Sequence, residues 1–385
     1  MAKTVKLGFF GLKNRENTLE AAKNLHDRGV KVTAFFDKDK AAAEAAAAQF
    51  PGALACATPE EFLASGIHAA VMGDCPKGNP DMACKLMQKG IAVLAGGMPA
   101  RTLADCVRLC KTWEETKTPY MFAVPECFSA PVLEMKKIFE TGAQGKVIFG
   151  EADYVSDGKD TCKGAPVLFY GTRALLPLLY ITGDTPYRLT AKVPFNHKNA
   201  AAVGCKGPDT IPQTLVEMTS GAVYRIGASA DTWPKGKWYR LGTVNGGMET
   251  KRGAEGDVWV SYFKAKKPEG FGDENQKTYT AAYAGDVRRK YKDLSADVTA
   301  EALMLASFLS VVRGEQENPF DVYKAAEMTS FLLLSCRSAV NDGIPTLLPD
   351  WKIEGIRKMY EYDFASPVPN EIGFATQPCR MKPID

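Results

Sequence analysis

The stretch that decides the fold is VKLGFFGLKNRE, residues 5–16. Val5–Phe10 is a short apolar run that ends in Gly11, and apolar side chains at helical spacing follow it. A second apolar run, Val30–Phe36, ends in Asp37. A strand, a glycine turn, a helix and a second strand that ends in an acid are typical of a dinucleotide-binding unit.

The glycine turn departs from the usual G-x-G-x-x-G pattern, because only its first glycine, Gly11, is present. Lys13 stands where the backbone would approach a pyrophosphate, and Glu16 adds a negative charge at the start of the helix. A helix start still offers unpaired N–H groups to an anion, and Lys13 adds a positive charge. We therefore predict that Gly11, Lys13 and Asn14 bind the phosphates of a cofactor.

Asp37 lies 26 residues after Gly11, at the end of the second predicted strand. An acid there accepts hydrogen bonds from both ribose hydroxyls and repels a 2′-phosphate, which favours NAD over NADP. The alternative is that Asp37 caps the helix predicted to begin at Lys38. The residues alone leave both interpretations open.

Strand and helix signals alternate over residues 1–125, which predicts βαβ units and a parallel, Rossmann-like sheet. The pattern changes near residue 147, where strands follow one another without long helices between them. We therefore predict an α/β protein whose second domain, residues 126–385, is an α+β unit built on a large open, mostly antiparallel sheet. The polar, glycine-rich segment 266–292 is predicted to be a surface loop.

Composition excludes several classes of protein. The 385 residues include 48 basic and 45 acidic side chains, a near balance that argues against a nucleic-acid partner. No apolar run reaches the roughly 18 residues of a membrane span, and the N-terminus lacks a signal-peptide pattern. The ten cysteines contain no C-x-x-C pair, so we expect reduced thiols in a cytoplasmic protein without a metal site.

The order and length of these segments resemble those of the glucose–fructose oxidoreductase / inositol dehydrogenase / MocA (Gfo/Idh/MocA) family over nearly the whole chain. The resemblance implies an NAD(P)-dependent oxidoreductase that acts on a carbohydrate-like small molecule such as a sugar or a cyclitol. It also implies a subunit interface on the second sheet. We therefore expect a homo-oligomer, a dimer or a tetramer, with neither a nucleic-acid nor a membrane partner.

The catalytic residues that the family resemblance implies are replaced in this chain. Met98 occupies the position of the lysine in the family's Glu-Lys-Pro motif, and the proline that follows, Pro99, is kept and predicted to lie at the cofactor site. Phe169 and Arg173 occupy the positions of the Asp and His that precede the apolar helix. Methionine and phenylalanine cannot move a hydroxyl proton, and arginine stays protonated.

The chain has only three histidines, His26, His68 and His197, and none falls near either motif. Since histidine is the commonest acid or base in catalysis, a mechanism that needs one must use one of these three. We expect all three to have surface or structural roles.

Other polar residues therefore have to serve the pocket expected outside the carboxyl ends of the parallel strands. We predict Tyr170, Arg173 and Glu126 as catalytic residues, with Tyr170 and Arg173 as an acid and anion-binding pair because a guanidinium lowers the pKa of a nearby phenol. Asp74 is assigned to the cofactor site. Further polar candidates are Lys77, Asn79, Asp157 and Thr172, and the thiols Cys75 and Cys127 are weaker ones.

Two hypotheses about function remain. The first is a divergent NAD-dependent oxidoreductase acting on a sugar, a cyclitol or a sugar-derived compound, which the fold and Asp37 favour. The second is a lyase, a hydrolase or a sugar-binding subunit on the same scaffold that has lost hydride transfer. The residues that favour it are Lys13, Glu16, Met98, Phe169 and Arg173.

Overall fold

A computed structural model describes the chain in segments: residues 4–12, 15–25, 28–75, 80–156, 169–192, 209–230, 234–252, 256–263, 267, 271 and 274–367. The chain divides into two compact units. The first contains 1–125 together with two later segments, 294–329 and 350–365; the second contains 126–293, 330–349 and 366–385.

The first unit is built on a parallel sheet of six described strands in the order β3-β2-β1-β4-β5-β6, as the sequence predicts. This is the strand order of a doubly wound dinucleotide-binding fold. Its elements are β1 (Val5–Phe10), α1 (Glu16–Lys23), β2 (Val30–Phe36), α2 (Lys40–Ala47), β3 (Leu54–Ala55), α3 (Pro59–Ala64), β4 (Ala69–Cys75), α4 (Pro80–Gln88), β5 (Ala92–Gly97), α5 (Leu103–Thr116) and β6 (Tyr120–Phe122).

The strands of this sheet are apolar because both of its faces are covered. Leu7 and Phe9 of β1 are fully buried, and the ring of Phe9 stacks on that of Phe35 with centroids 5.5 Å apart. Side-chain caps begin the helices: Thr58 accepts a hydrogen bond from the backbone of Glu61 at the start of α3.

The second unit contains a mixed sheet of ten described strands, which includes the short strand β9 and is mostly antiparallel, as predicted, with one parallel pair, β7 with β11. A 3-10 turn, Pro125–Phe128, leads into this part of the chain. Its elements are α6 (Ala130–Glu140), β7 (Val147–Ser156), α7 (Tyr170–Thr182), β8 (Pro186–Lys192), β9 (Asp209–Thr210), β10 (Gln213–Met218), β11 (Val223–Ala230), β12 (Gly236–Thr243), β13 (Gly246–Thr250), β14 (Asp257–Tyr262), β15 (Gln276–Thr280) and α8 (Gly285–Lys290).

The prediction of a surface loop over 266–292 is wrong in its second half. That half contains β15, which pairs antiparallel with β14, and the short helix α8. The sequence does not predict this strand, because it lies at the sheet edge and its side chains, QKTYT, are largely exposed. A strand without a buried face carries no apolar alternation.

The remaining described elements are α9 (Ala296–Arg313), α10 (Val322–Val340), β16 (Thr346–Leu347) and α11 (Glu354–Lys358). Helix α9 packs against α1 in the first unit, where the hydroxyl of Thr18 donates a hydrogen bond to Glu301 at 3.1 Å. The chain therefore returns to the first unit after residue 293. Across the part of the chain that the structure describes, every helix is too short or too polar to cross a membrane.

Candidate functional site

The turn between β1 and α1 is shaped by two glycines. Gly11 has φ +80°, a conformation that favours glycine, and its N–H donates a hydrogen bond to the carbonyl of Phe36 at 2.7 Å. A Cβ added to Gly73, at the carboxyl end of β4, would overlap the carbonyl group of Gly11. The turn thus lies directly on the end of β4. Lys13 and Asn14 lie outside the described residues.

The carboxylate of Asp37 is held at this turn by two backbone groups. Its Oδ2 accepts a hydrogen bond from the N–H of Leu12 at 2.7 Å, and its Oδ1 accepts one from the N–H of Asp39 at 2.8 Å. The alternative that Asp37 caps the next helix is wrong, because Asp39 is the N-cap of α2. A carboxylate has about four lone-pair positions, so Asp37 can still accept hydrogen bonds from two hydroxyls.

Arg15 was missed by the sequence analysis, although it lies in the same turn. The residue is only 3% exposed, and Nη2 of its guanidinium occupies the place where a Cβ of Gly96 would stand. The carbonyl oxygen of Met72 lies 2.8 Å from that same point. The side chain therefore reaches from the β1–α1 turn to the carboxyl ends of β4 and β5. The pair Gly96-Gly97 at the end of β5 was the available signal, since a side chain at Gly96 would exclude the guanidinium.

The residues after β5 form a buried segment without acid–base groups. Met98 is 2% exposed, and Pro99 beside it is also buried. Pro80 is the first residue of α4. Asp74 lies in β4, but its side chain falls outside the described residues.

The second unit brings five side chains together into what we call the Glu126 cluster: Glu126, Tyr154, Arg173, Lys237 and Tyr239. Nη1 of Arg173 donates a hydrogen bond to Oε1 of Glu126 at 3.0 Å and another to the hydroxyl of Tyr154 at 3.3 Å. Nζ of Lys237 lies 3.9 Å from the same carboxylate oxygen. The hydroxyl of Tyr239 donates a hydrogen bond to the backbone carbonyl of Arg173 at 2.9 Å.

Three elements position this cluster. Arg173 lies on α7, Tyr154 on β7 and Tyr239 on β12, and the last two strands are neighbours in the sheet, where Lys237 pairs with Tyr154. The Arg173 guanidinium also lies over the ring of Phe169, 4.9 Å from its centroid. Sequence analysis predicted Glu126, Tyr170 and Arg173, but it missed the tyrosines of β7 and β12 because their strands are distant in sequence.

Tyr170 lies at the start of α7 with its ring stacked on that of Tyr154, at a centroid distance of 5.0 Å. Thr172, another candidate, is fully buried, and its hydroxyl donates a hydrogen bond to the carbonyl of Phe169 at 2.8 Å. Lys77, Asn79 and Asp157 lie outside the described residues.

The Glu126 cluster contains one carboxylate and two cationic side chains. The Glu126 side chain is 2% exposed, and its Oε2 is buried without a hydrogen-bond partner among the described residues. Two cations, Arg173 and Lys237, lie beside this one carboxylate. Arg173 keeps 20% of its side chain exposed. Since Oε2 is buried, a ligand can reach it only if the cluster rearranges.

Burial controls the neighbouring proton-bearing groups. Desolvation raises the pKa of the Tyr239 phenol well above its usual value, with the charge of Glu126 adding to the effect and Arg173 opposing it. Desolvation likewise raises the pKa of the Cys127 thiol. The interpretation of Cys127 as a nucleophile is wrong, because a buried thiol of raised pKa stays protonated. The side chain of Cys75 lies outside the described residues.

Of the three histidines, only His68 lies within the described residues. Its side chain is exposed, and Nδ1 accepts a hydrogen bond from the backbone N–H of Lys6 at 3.2 Å. His68 therefore helps to join β1 to the start of β4. Within the described residues, no group of three or more His, Cys, Asp or Glu side chains could hold a metal ion.

Comparison with known proteins shows the fold. No family model and no curated protein matches the chain. Solved structures do match. An oxidoreductase domain protein from Kribbella flavida has a TM-score of 0.76 at 12% identity, covering 90% of this chain and 100% of that one. An oxidoreductase from Agrobacterium radiobacter in complex with NAD+, L-tartaric acid and magnesium has a TM-score of 0.73 at 15% identity, covering 90% and 98%. Levoglucosan dehydrogenase in complex with NADH and levoglucosan has a TM-score of 0.72 at 13% identity, covering 90% and 100%.

This chain has the fold of these oxidoreductases. The resemblance predicted from the sequence is confirmed at the level of the fold, and the sequence identity to these three structures is 12–15%.

Proposed function

We propose that this protein is a divergent NAD-dependent oxidoreductase that acts on a sugar, a cyclitol or a sugar-derived compound. The observation that carries the proposal is the position of Asp37. Its carboxylate is fixed at the β1–α1 turn by Leu12 and Asp39 and keeps capacity for two further hydrogen bonds. An acid held at this point of a doubly wound sheet suits the ribose diol of NAD and repels the 2′-phosphate of NADP.

The residues of the first unit fit the adenosine half of this cofactor. Gly73 lets the Gly11 turn lie against the end of β4, where a pyrophosphate would approach the turn, and Asp37 would hold the ribose. Bound NAD would supply the hydride acceptor. Solved structures of the same fold contain NAD+ or NADH, which supports the assignment.

The residues of the second unit supply the proposed proton chemistry. We propose Glu126, Tyr170 and Arg173 as the catalytic residues, because Arg173 donates a hydrogen bond to the Glu126 carboxylate at 3.0 Å and keeps 20% of its own side chain exposed. Tyr170, at the start of α7, lies beside them with its ring stacked on that of Tyr154. A carboxylate is a weaker base than the histidine of the family pattern, so we expect slow turnover near neutral pH.

A second candidate function is a lyase, a hydrolase or a sugar-binding subunit without hydride transfer. One observation favours it: Met98, at the position of the family's lysine, is 2% exposed and carries no proton to transfer.

Titration with NADH and NADPH, followed by nicotinamide fluorescence, tests the proposal. We expect saturable NADH binding below about 1 mM and weaker NADPH binding. Asp37→Ala should weaken NADH binding by about tenfold or more, while Asp39→Ala, which removes the neighbouring carboxylate, should not. Absence of NADH binding to the wild-type protein would refute the oxidoreductase. NADH binding without nicotinamide reduction by any polyol of a broad panel would favour the second candidate.

We further propose a homo-oligomer in the cytoplasm. Exposed apolar side chains occur on neighbouring strands of the second sheet, namely Tyr187, Leu215, Val223 and Leu347. Such a group is seldom left in water. The cysteines whose burial is described are free and buried, which suits a reducing compartment. Analytical ultracentrifugation tests the assembly: a monomer at all concentrations would contradict it.

A further inference from the structure

One side chain of the β1–α1 turn, that of Arg15, lies across the carboxyl edge of the six-stranded sheet. Arg15 is the N-cap residue of α1, and its Nη2 occupies the position that a Cβ of Gly96 on β5 would take. The residue is 97% buried. The guanidinium is thus packed into the edge of the sheet rather than extended into solvent.

This edge is where a doubly wound sheet binds its ligand. The strand order β3-β2-β1-β4-β5-β6 reverses direction between β1 and β4, and the crevice lies outside the carboxyl ends of the strands at that point. Asp37 stands on the β2 side of the crevice, and Gly96 stands on the β5 side. A dinucleotide that spans the crevice needs both sides, whereas a nucleotide held through its ribose at Asp37 needs only the first.

The two sides differ in what fills them. At Asp37 both carboxylate oxygens are fixed, and lone pairs remain for a ligand. At Gly96 the space is occupied by Arg15, whose guanidinium stays charged and packs as a rigid plane. The same volume cannot hold Arg15 and a ligand group together, so a ligand that enters there must first displace the side chain.

We propose that Arg15 sets the nucleotide specificity of this crevice. With Arg15 in place the crevice takes an adenosine diphosphate group, and it takes a whole dinucleotide only after Arg15 has left the Gly96 side. The inference rests on the proposed function, in which NAD is the dinucleotide. A ligand that binds a minor conformation has an apparent affinity reduced by the fraction of molecules in that conformation. Arg15 therefore weakens NADH binding and leaves ADP binding unchanged.

The test measures ADP and NADH affinities of the wild-type protein, Arg15→Ala and Arg15→Met by calorimetry. Arg15→Met keeps most of the buried volume, so it remains informative if Arg15→Ala unfolds; thermal unfolding checks both variants. We expect each folded variant to bind NADH about tenfold tighter or more, and ADP within about twofold of wild type. Arg28→Ala is the matched control, because Arg28 is exposed and precedes β2, at the opposite edge of the sheet; it should change neither affinity.

Other results overturn the inference. If both ADP and NADH bind more weakly to the Arg15 variants, the guanidinium is a phosphate ligand rather than an obstacle. Unchanged NADH affinity, or ADP binding with no NADH binding in any variant, also contradicts it, as does the absence of binding of either nucleotide. If the variants bind NADH more tightly, yet neither they nor the wild-type protein reduce NAD+ with any polyol, the inference stands and the proposed function fails.

Discussion

Two carboxylates in this protein are held in opposite ways. Asp37 accepts hydrogen bonds from two backbone N–H groups: that of Asp39, two residues later in the chain, and that of Leu12 in the β1–α1 turn. Glu126 is held by the side chains of Arg173 and Lys237, which lie 47 residues away and further, and one of its oxygens has no described partner. The first carboxylate is ready to bind a ligand without a change in its own partners. The second is part of an ion pair that a ligand must join or rearrange.

The difference predicts which site tolerates mutation. The N–H groups of Leu12 and Asp39 remain when the Asp37 side chain is replaced, and water can take the place of the lost carboxylate. Side-chain partners are different, because removing one leaves the other buried and uncompensated. We therefore expect stability to depend on the Glu126 cluster and ligand affinity to depend on Asp37.

The largest effect is expected from Arg173→Met. This change removes the cation that pairs with Glu126 at 3.0 Å and leaves a carboxylate that is 2% exposed. Removing one partner of a buried pair costs roughly 3 kcal/mol, so the free energy of unfolding in urea should fall by about that much. The double variant Glu126→Gln with Arg173→Met removes the buried carboxylate together with the cation nearest to it, and it should recover most of the loss. If the double variant is no more stable than Arg173→Met, the ion pair does not hold the cluster together.

A smaller effect is expected from Tyr239 at alkaline pH. Burial raises the pKa of this phenol above its unfolded value, so its stabilising contribution is complete below the unfolded pKa and declines as the pH rises above it. One such group adds a slope of about 1.4 kcal/mol per pH unit to the loss of unfolding free energy above about pH 10. Tyr239→Phe should therefore lose stability less steeply than the wild-type protein over that range. Tyr362→Phe, at a tyrosine that is 81% exposed, serves as the control, and equal slopes for all three proteins would contradict the assignment.

The contrast between contacts within one turn and contacts between distant residues also explains which parts of the fold and the site the sequence predicts. The parallel sheet, the Gly11 turn and the position of Asp37 follow from local patterns, and the structure confirms the sheet. The strand β15 was missed because its exposed side chains carry no alternation. Tyr154 and Tyr239 were missed because their approach to Arg173 depends on the register between β7 and β12. Arg15 was missed because the space it fills is created by Gly96, 81 residues later in the chain.

The smallest effect is expected from Asp39→Ala, which sharpens the comparison within the turn itself. Asp39 accepts a hydrogen bond from the N–H of Ala41 at 3.0 Å and caps α2. Loss of such a cap costs about 1 kcal/mol, which chemical denaturation resolves. Its own N–H still donates to Asp37 after the change, since that bond comes from the backbone. Stability should therefore fall while NADH affinity is kept, the reverse of Asp37→Ala, whose main effect is on affinity. If Asp39→Ala weakens NADH binding as much as Asp37→Ala does, affinity depends on the total negative charge of the turn. It then does not depend on hydrogen bonds from the ribose to the Asp37 carboxylate alone.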